Sequence, residues 1–183
     1  MKRTILVFGL IAGAIASAFM GVSMVIVGNH CTTGDPSTME YSMYVGYASM
    51  IVAFSFIFVA IKSYRDKQNG GIITFGQGLK IGLLIALIGS TMYVITWAFI
   101  YHFVMPDFMT NYSNAMIEGA KASGKSAEEI TMMTEEATQM AASYNTPWGF
   151  ALWTYAEIFP VGLVMSLAAA GFLRRKPQNP TVA

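Results

Sequence analysis

Four long apolar blocks dominate the pattern of hydrophobic and polar positions along the chain. Within each block, apolar residues follow one another without the polar face that an amphipathic helix of a soluble protein shows. The blocks cover about residues 5–27, 44–61, 79–104 and 148–173. Each has about the 17–25 residues that a helix needs to cross the hydrocarbon core of a bilayer. The pattern therefore predicts four transmembrane helices.

The composition agrees with a membrane protein. Of the 183 residues, 55% are hydrophobic and 11% are charged, whereas a typical soluble domain has about 25% charged residues. The net charge of +1 provides no field that would attract nucleic acid. We predict a single membrane domain over residues 1–183, with the lipid bilayer as its surroundings and no nucleic-acid partner.

The first block resembles a secretory signal peptide at its start. Lys2 and Arg3 supply the basic residues, and Ala16-Ser17-Ala18 has the small residues of a cleavage site. The apolar run continues to Val27, which is too long for a typical signal peptide. We therefore expect a retained transmembrane helix.

The charged residues divide between the two sides of this four-helix pattern. Of the 11 lysines and arginines, all except Lys121 and Lys125 lie on one side, with both termini and the loop 62–78. All acidic residues except Asp66 and Glu157 lie in the two opposite loops. Because basic loops stay on the cytoplasmic side of a membrane, the sequence predicts that both termini are cytoplasmic.

Two capping-box patterns predict where helices begin. Thr74 and Gln77 have the spacing at which two side chains cap each other's backbone N–H groups, so the third helix is expected to start near Phe75. Ser126 and Glu129 have the same spacing in the long outer segment. The second pattern predicts a helix that starts just after Ser126.

The outer segment 105–147 is too long for a simple turn. Pro106 opens one predicted helix, Gly124 ends it, and the capping box at Ser126 starts a second helix. We predict an extracytoplasmic helical hairpin between the third and fourth spans. It is either a solvated segment without a partner, or a lid or docking surface over the outer mouth of the bundle.

Small residues recur at every fourth position in three of the predicted helices. In lipid, helices gain little by burying apolar surface, and close backbone approach along small residues contributes instead. These ridges predict tight packing within one chain or, as the alternative, a homo-oligomer joined through one ridge. The ridge residues are Gly9, Gly13, Ser17 and Gly21, then Gly78, Gly82, Ala86 and Ser90, and finally Gly162, Ser166 and Ala170.

Glu157 is the strongest candidate for a functional residue, because it lies well inside the fourth block. An acid near the bilayer centre costs roughly 2.5–3.5 kcal/mol on insertion scales, and desolvation favours its neutral form. Pro160 lacks an N–H, so the carbonyl of Ala156 loses its intrahelical partner. We predict an intramembrane polar site, either a structural acid that locks helix packing or a proton or cation site.

Several polar side chains of the other blocks lie at a depth similar to that of Glu157. These candidates for a hydrogen bond to the acid are Ser17, Ser49, Tyr93, Thr96 and Trp97. His102 lies at the outer end of the third block. It is expected to act as an interfacial anchor, like Tyr101, or as a proton relay with Glu157.

The sequence lacks the motifs of common enzymes and metal centres. It has no Gly-rich phosphate loop, no paired histidines for zinc and no Gly-x-Ser-x-Gly turn. His30, Cys31 and nearby methionines offer soft ligands that suit Cu(I), but methionine also fills gaps in apolar packing. We predict no catalytic residue, no cofactor and no metal.

Four short runs along the chain are specific when they are taken together. They are Gly46-Tyr47-Ala48-Ser49-Met50, Lys62-Ser63-Tyr64-Arg65-Asp66-Lys67, Ile73-Thr74-Phe75-Gly76 and Glu157-Ile158-Phe159-Pro160-Val161-Gly162. In these runs the chain resembles the bacterial membrane proteins of domain-of-unknown-function family 4199. The resemblance implies a small four-helix protein of the bacterial inner membrane, and it brings no activity, ligand or catalytic residue.

Taken together, the patterns predict an all-α integral membrane bundle of four transmembrane helices. We expect a non-enzymatic interaction or accessory subunit, whose partner is another protein or a second copy. The alternative is a small proton- or cation-coupled transporter or channel-like protein that uses Glu157. A polar cavity that reaches Glu157 would favour transport, whereas a filled core would favour docking.

Overall fold

The computed structural model describes residues 1–28 and 36–175, and side chains within 1–24 and 44–175. This part of the chain is all-α and contains no strand. The helices are α1 (Lys2–Gly28), α2 (Pro36–Gln68), α3 (Phe75–Phe99), α4 (Phe108–Ala122), α5 (Ala127–Tyr144) and α6 (Pro147–Leu173). A π-helical turn, Ile100–Val104, continues α3. The predictions for His30 and Cys31 lie outside the described residues.

Four of these helices are long and apolar enough to cross a membrane, which confirms the predicted fold class. The qualifying stretches are Lys2–Met24, Tyr44–Gln68, Phe75–Val104 and Pro147–Leu173. The second stretch extends past the predicted block because α2 continues through the basic run after Ile61, and lysine and arginine are good helix formers. The chain therefore has the architecture of a multi-pass membrane protein.

Helix α2 begins at Pro36 rather than near residue 44, where the apolar block starts. Proline is favoured at the first helical position because the N–H that it lacks would have no partner there. The apolar pattern detects only the part of a helix that lies in hydrocarbon, so it missed the polar first turns. The predicted outer loop 28–43 is shorter for this reason, and residues 29–35 lie outside the described part.

Both predicted capping boxes are present. The N–H of Thr74 donates to Gln77 Oε1 (3.2 Å), and the N–H of Gln77 donates to Thr74 Oγ1 (3.3 Å), just before α3. Ser126 and Glu129 form the same reciprocal pair at the start of α5. Gly124 has φ +70°, the left-handed conformation that ends α4. The two helices predicted within the segment 105–147 are thus confirmed.

Backbone contacts divide the described residues into two compact units. The first unit contains the described residues of Met1–Ala16, Ser49–Tyr93 and Glu157–Ala183. The second contains the described residues of Ser17–Ala48 and Val94–Ala156. Each of the four long helices contributes one segment to each unit, and α4 and α5 pack against each other in the second unit.

In the first unit, α3 packs closely against both α6 and α1. A Cβ placed on Gly82 would lie 2.8 Å from Ser166 Cβ, and one placed on Gly13 would lie 3.2 Å from the Cα of Gly89. Phe54 of α2 is fully buried, and its ring lies 3.2 Å from the position of a Cβ on Gly89. These distances describe backbones in close contact along small residues, which is how helices gain from association in lipid.

Residues near the start and near the end of the described chain both contact the connection between α2 and α3. The amino group of Met1 donates to Gln68 Oε1 at 2.8 Å. Ile73 and Arg175 exchange two backbone hydrogen bonds of 2.9 and 3.1 Å. Residue 1 and residue 175 therefore lie at the same end of the unit as residues 68–73. This is expected for a chain that crosses the membrane an even number of times.

Candidate functional site

Glu157 lies on an exposed face of α6. Exposed residues follow it at the three- and four-residue spacing of one helix face, namely Pro160, Val164, Leu167 and Gly171. We call Glu157 and these four residues the α6 outer stripe. Val164 is 62% exposed and Leu167 is 43% exposed, and a Cβ added to Gly171 would have no atom within 4 Å. Among the described residues, the stripe is therefore an uncovered surface of the first unit.

The opposite face of α6 explains why Glu157 points outward. Ile158 and Ser166 are fully buried, and a Cβ added to Gly162 would lie 2.7 Å from Ala86 Cβ. The face that approaches α3 most closely must present the smallest side chains. Because successive residues are turned by about 100° around a helix, burying Ile158 places Glu157 at the edge of the packed face and toward the surface.

The carboxyl group of Glu157 makes no hydrogen bond or ion pair with any residue of the described part of the chain. Two hydroxyl groups of α6 are used within the helix. Thr154 donates to the carbonyl of Phe150 at 2.9 Å, and Ser166 donates to the carbonyl of Gly162 at 2.7 Å. An acid thus lies in a membrane-spanning helix without a polar partner in those residues.

Pro160 contributes a second polar feature to the same part of α6. The helix continues through Pro160 to Leu173, so the proline does not end it. Since proline has no N–H, the carbonyl of Ala156 lacks its normal intrahelical donor. Ala156 and Pro160 are both exposed. This stretch can therefore accept a hydrogen bond at the carbonyl, and can donate or accept one at the neighbouring carboxyl.

The polar residues predicted to surround Glu157 do not hydrogen-bond to it in the described structure. In the second unit, Thr96 Oγ1 donates to Ser17 Oγ at 3.1 Å. The other predicted members are buried, and they are Ser49, Tyr93 and Trp97. These residues therefore do not form the hydrogen bonds through which Glu157 would hold neighbouring helices together.

His102 belongs to an aromatic cluster of the second unit, in the π-helical turn after α3. Its exposed ring stacks on Phe150 with ring centres 6.0 Å apart, and it meets the edge of Tyr101 at 5.2 Å. Tyr101 is buried and also contacts Tyr144. Helical periodicity does not predict this turn or this cluster, although the four-residue spacing of the aromatic residues Trp97 and Tyr101 is a signal of the cluster. The ring contacts show how His102 is held, and its role as an interfacial anchor stays a prediction.

Comparison with known proteins confirms the resemblance found in the sequence. A model of a family of proteins of unknown function matches residues 7–175. No curated protein and no solved structure matches the chain. The family brings no activity or ligand, so any role for Glu157 rests on the geometry of α6. Over nearly its whole length, the chain belongs to the family of proteins of unknown function DUF4199.

Proposed function

We propose that this protein is a non-enzymatic interaction or accessory subunit, which contacts another protein segment inside the bilayer through the α6 outer stripe. The observation that supports this proposal most is the exposed Glu157, which has no polar partner in the described structure. The exposed apolar side chains of Val164 and Leu167 are compatible with contact to lipid, whereas an intramembrane acid almost always faces protein or water. A protein partner on the stripe would give the acid a hydrogen bond and remove it from hydrocarbon.

The packed interior of the first unit also supports an interaction role over transport through a single chain. The backbones of α3 and α6 are in contact where Gly82 meets Ser166 and where Ala86 meets Gly162. Ile85, between those two α3 residues, is fully buried. A pathway between α3 and α6 would have to separate this contact.

We further propose that the protein lies in the inner membrane of a bacterium, with both termini in the cytoplasm and the α4–α5 hairpin outside. The distribution of lysines and arginines supports this orientation through the positive-inside rule. The contact of Met1 with Gln68 and that of Arg175 with Ile73 support it too, since they hold basic segments at one end of the first unit.

Photo-cross-linking in native membranes tests the interaction role. A photo-reactive residue at Val164 lies on the stripe, and one at Ala169 of the same helix is a matched control because Ala169 is fully buried. We expect intermolecular protein adducts from Val164 that are strongly reduced in Glu157→Leu, and none from Ala169. Adducts with lipid alone at Val164 would overturn the proposal.

A small proton- or cation-coupled transporter or channel-like protein is the second candidate. The exposed Glu157 carboxyl, next to the carbonyl that Pro160 leaves without a donor, favours it. Such a site would need further chains around it to exclude lipid. Proton or cation flux in vesicles of purified protein that is lost in Glu157→Gln would favour transport over the subunit role, and the absence of flux would favour the subunit.

A further inference from the structure

We propose that the α6 outer stripe joins two copies of this chain into a parallel dimer, in which the two Glu157 carboxyl groups hydrogen-bond each other. This inference rests on the proposed function, because both assign the stripe to a protein contact rather than to lipid. It goes further by naming the partner as a second copy. It also names the interaction that selects that partner.

In a parallel dimer, equivalent residues of the two copies lie at the same depth in the membrane. Two copies inserted with the same orientation can be related by a two-fold axis along the membrane normal, and such an interface brings the same patch of both copies together. A residue near that axis meets its own counterpart at the same depth. Glu157 of one copy therefore meets Glu157 of the other copy at the same depth, and no further polar residue is needed in the interface.

The carboxyl group of Glu157 is chemically suited to pair with a second carboxyl group. A protonated carboxyl both donates and accepts a hydrogen bond, so two of them satisfy each other reciprocally. Hydrocarbon disfavours the charged form, and two carboxyls that share a site do not both ionise. The pair is thus self-complementary in the surroundings where Glu157 is found.

The cations of the chain lie far from Glu157 along the spans. Lys62 and Arg174 flank apolar blocks, and Lys80 is the second residue of the third block, so none of the three lies at the depth of Glu157. A second copy therefore brings no positive charge to the acid. The acid–acid pair is a polar contact that two identical chains can form there.

The shape of the stripe allows the approach. Below Glu157 it presents Pro160, Val164 and Gly171, which are compact, and the space over Gly171 is open. Small interfacial residues let two helices come close in lipid. The apolar stripe residues alone would be equally satisfied by lipid, so Glu157 is what distinguishes this face from the other exposed apolar surfaces.

Counting of subunits in lipid vesicles tests the dimer. The purified, fluorescently labelled chain is diluted in lipid, and single-molecule photobleaching gives the number of copies per particle. We expect two copies for the wild type and for Glu157→Gln, because an amide also donates and accepts. Glu157→Leu should weaken the association ~10-fold, given that an intramembrane hydrogen bond contributes about 1–2 kcal/mol in model helices. Leu87→Ala changes an exposed apolar residue of α3 and should leave the dimer unchanged.

Cysteine cross-linking checks the geometry in a Cys31→Ser background. Val164→Cys should form an intermolecular disulfide, whereas the buried Ala169→Cys should not. Helix content and thermal stability of monomeric Glu157→Leu should match the wild type, which separates loss of the dimer from loss of the fold.

The outcomes separate this inference from the proposed function. A wild type that is single at every density, or a Glu157→Leu variant that dimerises like the wild type, would overturn the dimer. Protein adducts with other chains in native membranes would then leave the subunit role standing. A single-copy protein with lipid adducts alone at Val164 would overturn both.

Discussion

At the scale of single residues, the position of Glu157 along the span follows from the sequence, but the direction of its side chain does not. Counting along the apolar block gives the depth. The direction depends on which face of α6 packs against α3, and apolar residues on both faces of α6 conceal that choice. The close contact of Gly162 with α3 determines which face of α6 is packed. This orientation of α6 turns Glu157 outward, away from the buried positions of Ser49 and Tyr93.

Removing Glu157 should not damage the monomer. Since the carboxyl has no polar partner in the described structure, we expect Glu157→Ala and Glu157→Leu to keep folded yield and thermal stability, with changes within about 0.5 kcal/mol. This differs from a structural acid that locks packing, whose loss lowers the folded yield. Thermal unfolding in detergent, at a dilution where the protein is monomeric, measures it, and a loss of folded protein would contradict the outward geometry.

The start of α5 should weaken in acid. The backbone N–H of Ser126, and then its hydroxyl, donate to the Glu129 carboxylate, and these hydrogen bonds lower the pKa of Glu129. A lowered pKa in the folded state contributes stability above the ordinary glutamate value, and that stability is lost as the pH falls through the lowered pKa. The protection of amides in the first turn of α5 against hydrogen exchange, relative to the intrinsic exchange rate at each pH, should fall over that range.

Glu129→Gln is the control for this prediction, because glutamine completes a capping box without titrating. Its α5 amides should exchange at rates that do not depend on this carboxyl. Ser126→Ala should weaken the helix start by about 0.5–2 kcal/mol at neutral pH. Equal acid sensitivity in the wild type and in Glu129→Gln would show that another group is responsible.

At the scale of elements, helix starts were the most predictable features. The pairs Thr74 with Gln77 and Ser126 with Glu129 act locally, so their spacing alone predicts their hydrogen bonds. The π-helical turn at Ile100–Val104 depends on how Tyr101 packs in the aromatic cluster, and helical periodicity does not report that. The small-residue ridges indicated close packing, but only the structure shows which ridge meets which.

The ridge of α6 gives a paired test in one helix. Gly162→Ala places a Cβ 2.7 Å from Ala86 Cβ, so α3 and α6 must separate, and we expect a loss of about 1–3 kcal/mol. Gly171→Ala adds the same methyl group to space that is open within one chain, so at a dilution where the protein is monomeric it should be neutral or slightly stabilising. Denaturation in mixed micelles compares the two variants. Equal stability of both would contradict the close approach of α3 and α6.

At the scale of the whole molecule, the apolar blocks predicted the four candidate spans. A helix that crosses hydrocarbon needs a long apolar run, and such a run is easily recognised in a sequence. The partner of the α6 outer stripe could not be predicted in this way, since an outward acid and an inward acid have the same sequence pattern. The charge distribution predicts sidedness, and that prediction can be tested independently of Glu157.

The orientation predicts the reactivity of two single cysteines in a Cys31→Ser background. Lys125→Cys lies between α4 and α5 and should react with a membrane-impermeant maleimide added to intact cells. Lys67→Cys lies near the end of α2 and should react only after the membrane is opened. The reverse pattern would contradict the assignment of both termini to the cytoplasm.

The most direct test of the central claim is the oxygen accessibility of a spin label at Val164 in a lipid bilayer. Oxygen concentrates in hydrocarbon, so it reports whether lipid or protein covers the stripe. We expect Val164 to be shielded in the wild type and accessible in Glu157→Leu, while Val59 on α2, which is 50% exposed, is accessible in both. A Val164 label that is as accessible as Val59 in the wild type would show that lipid covers the stripe and would contradict the account.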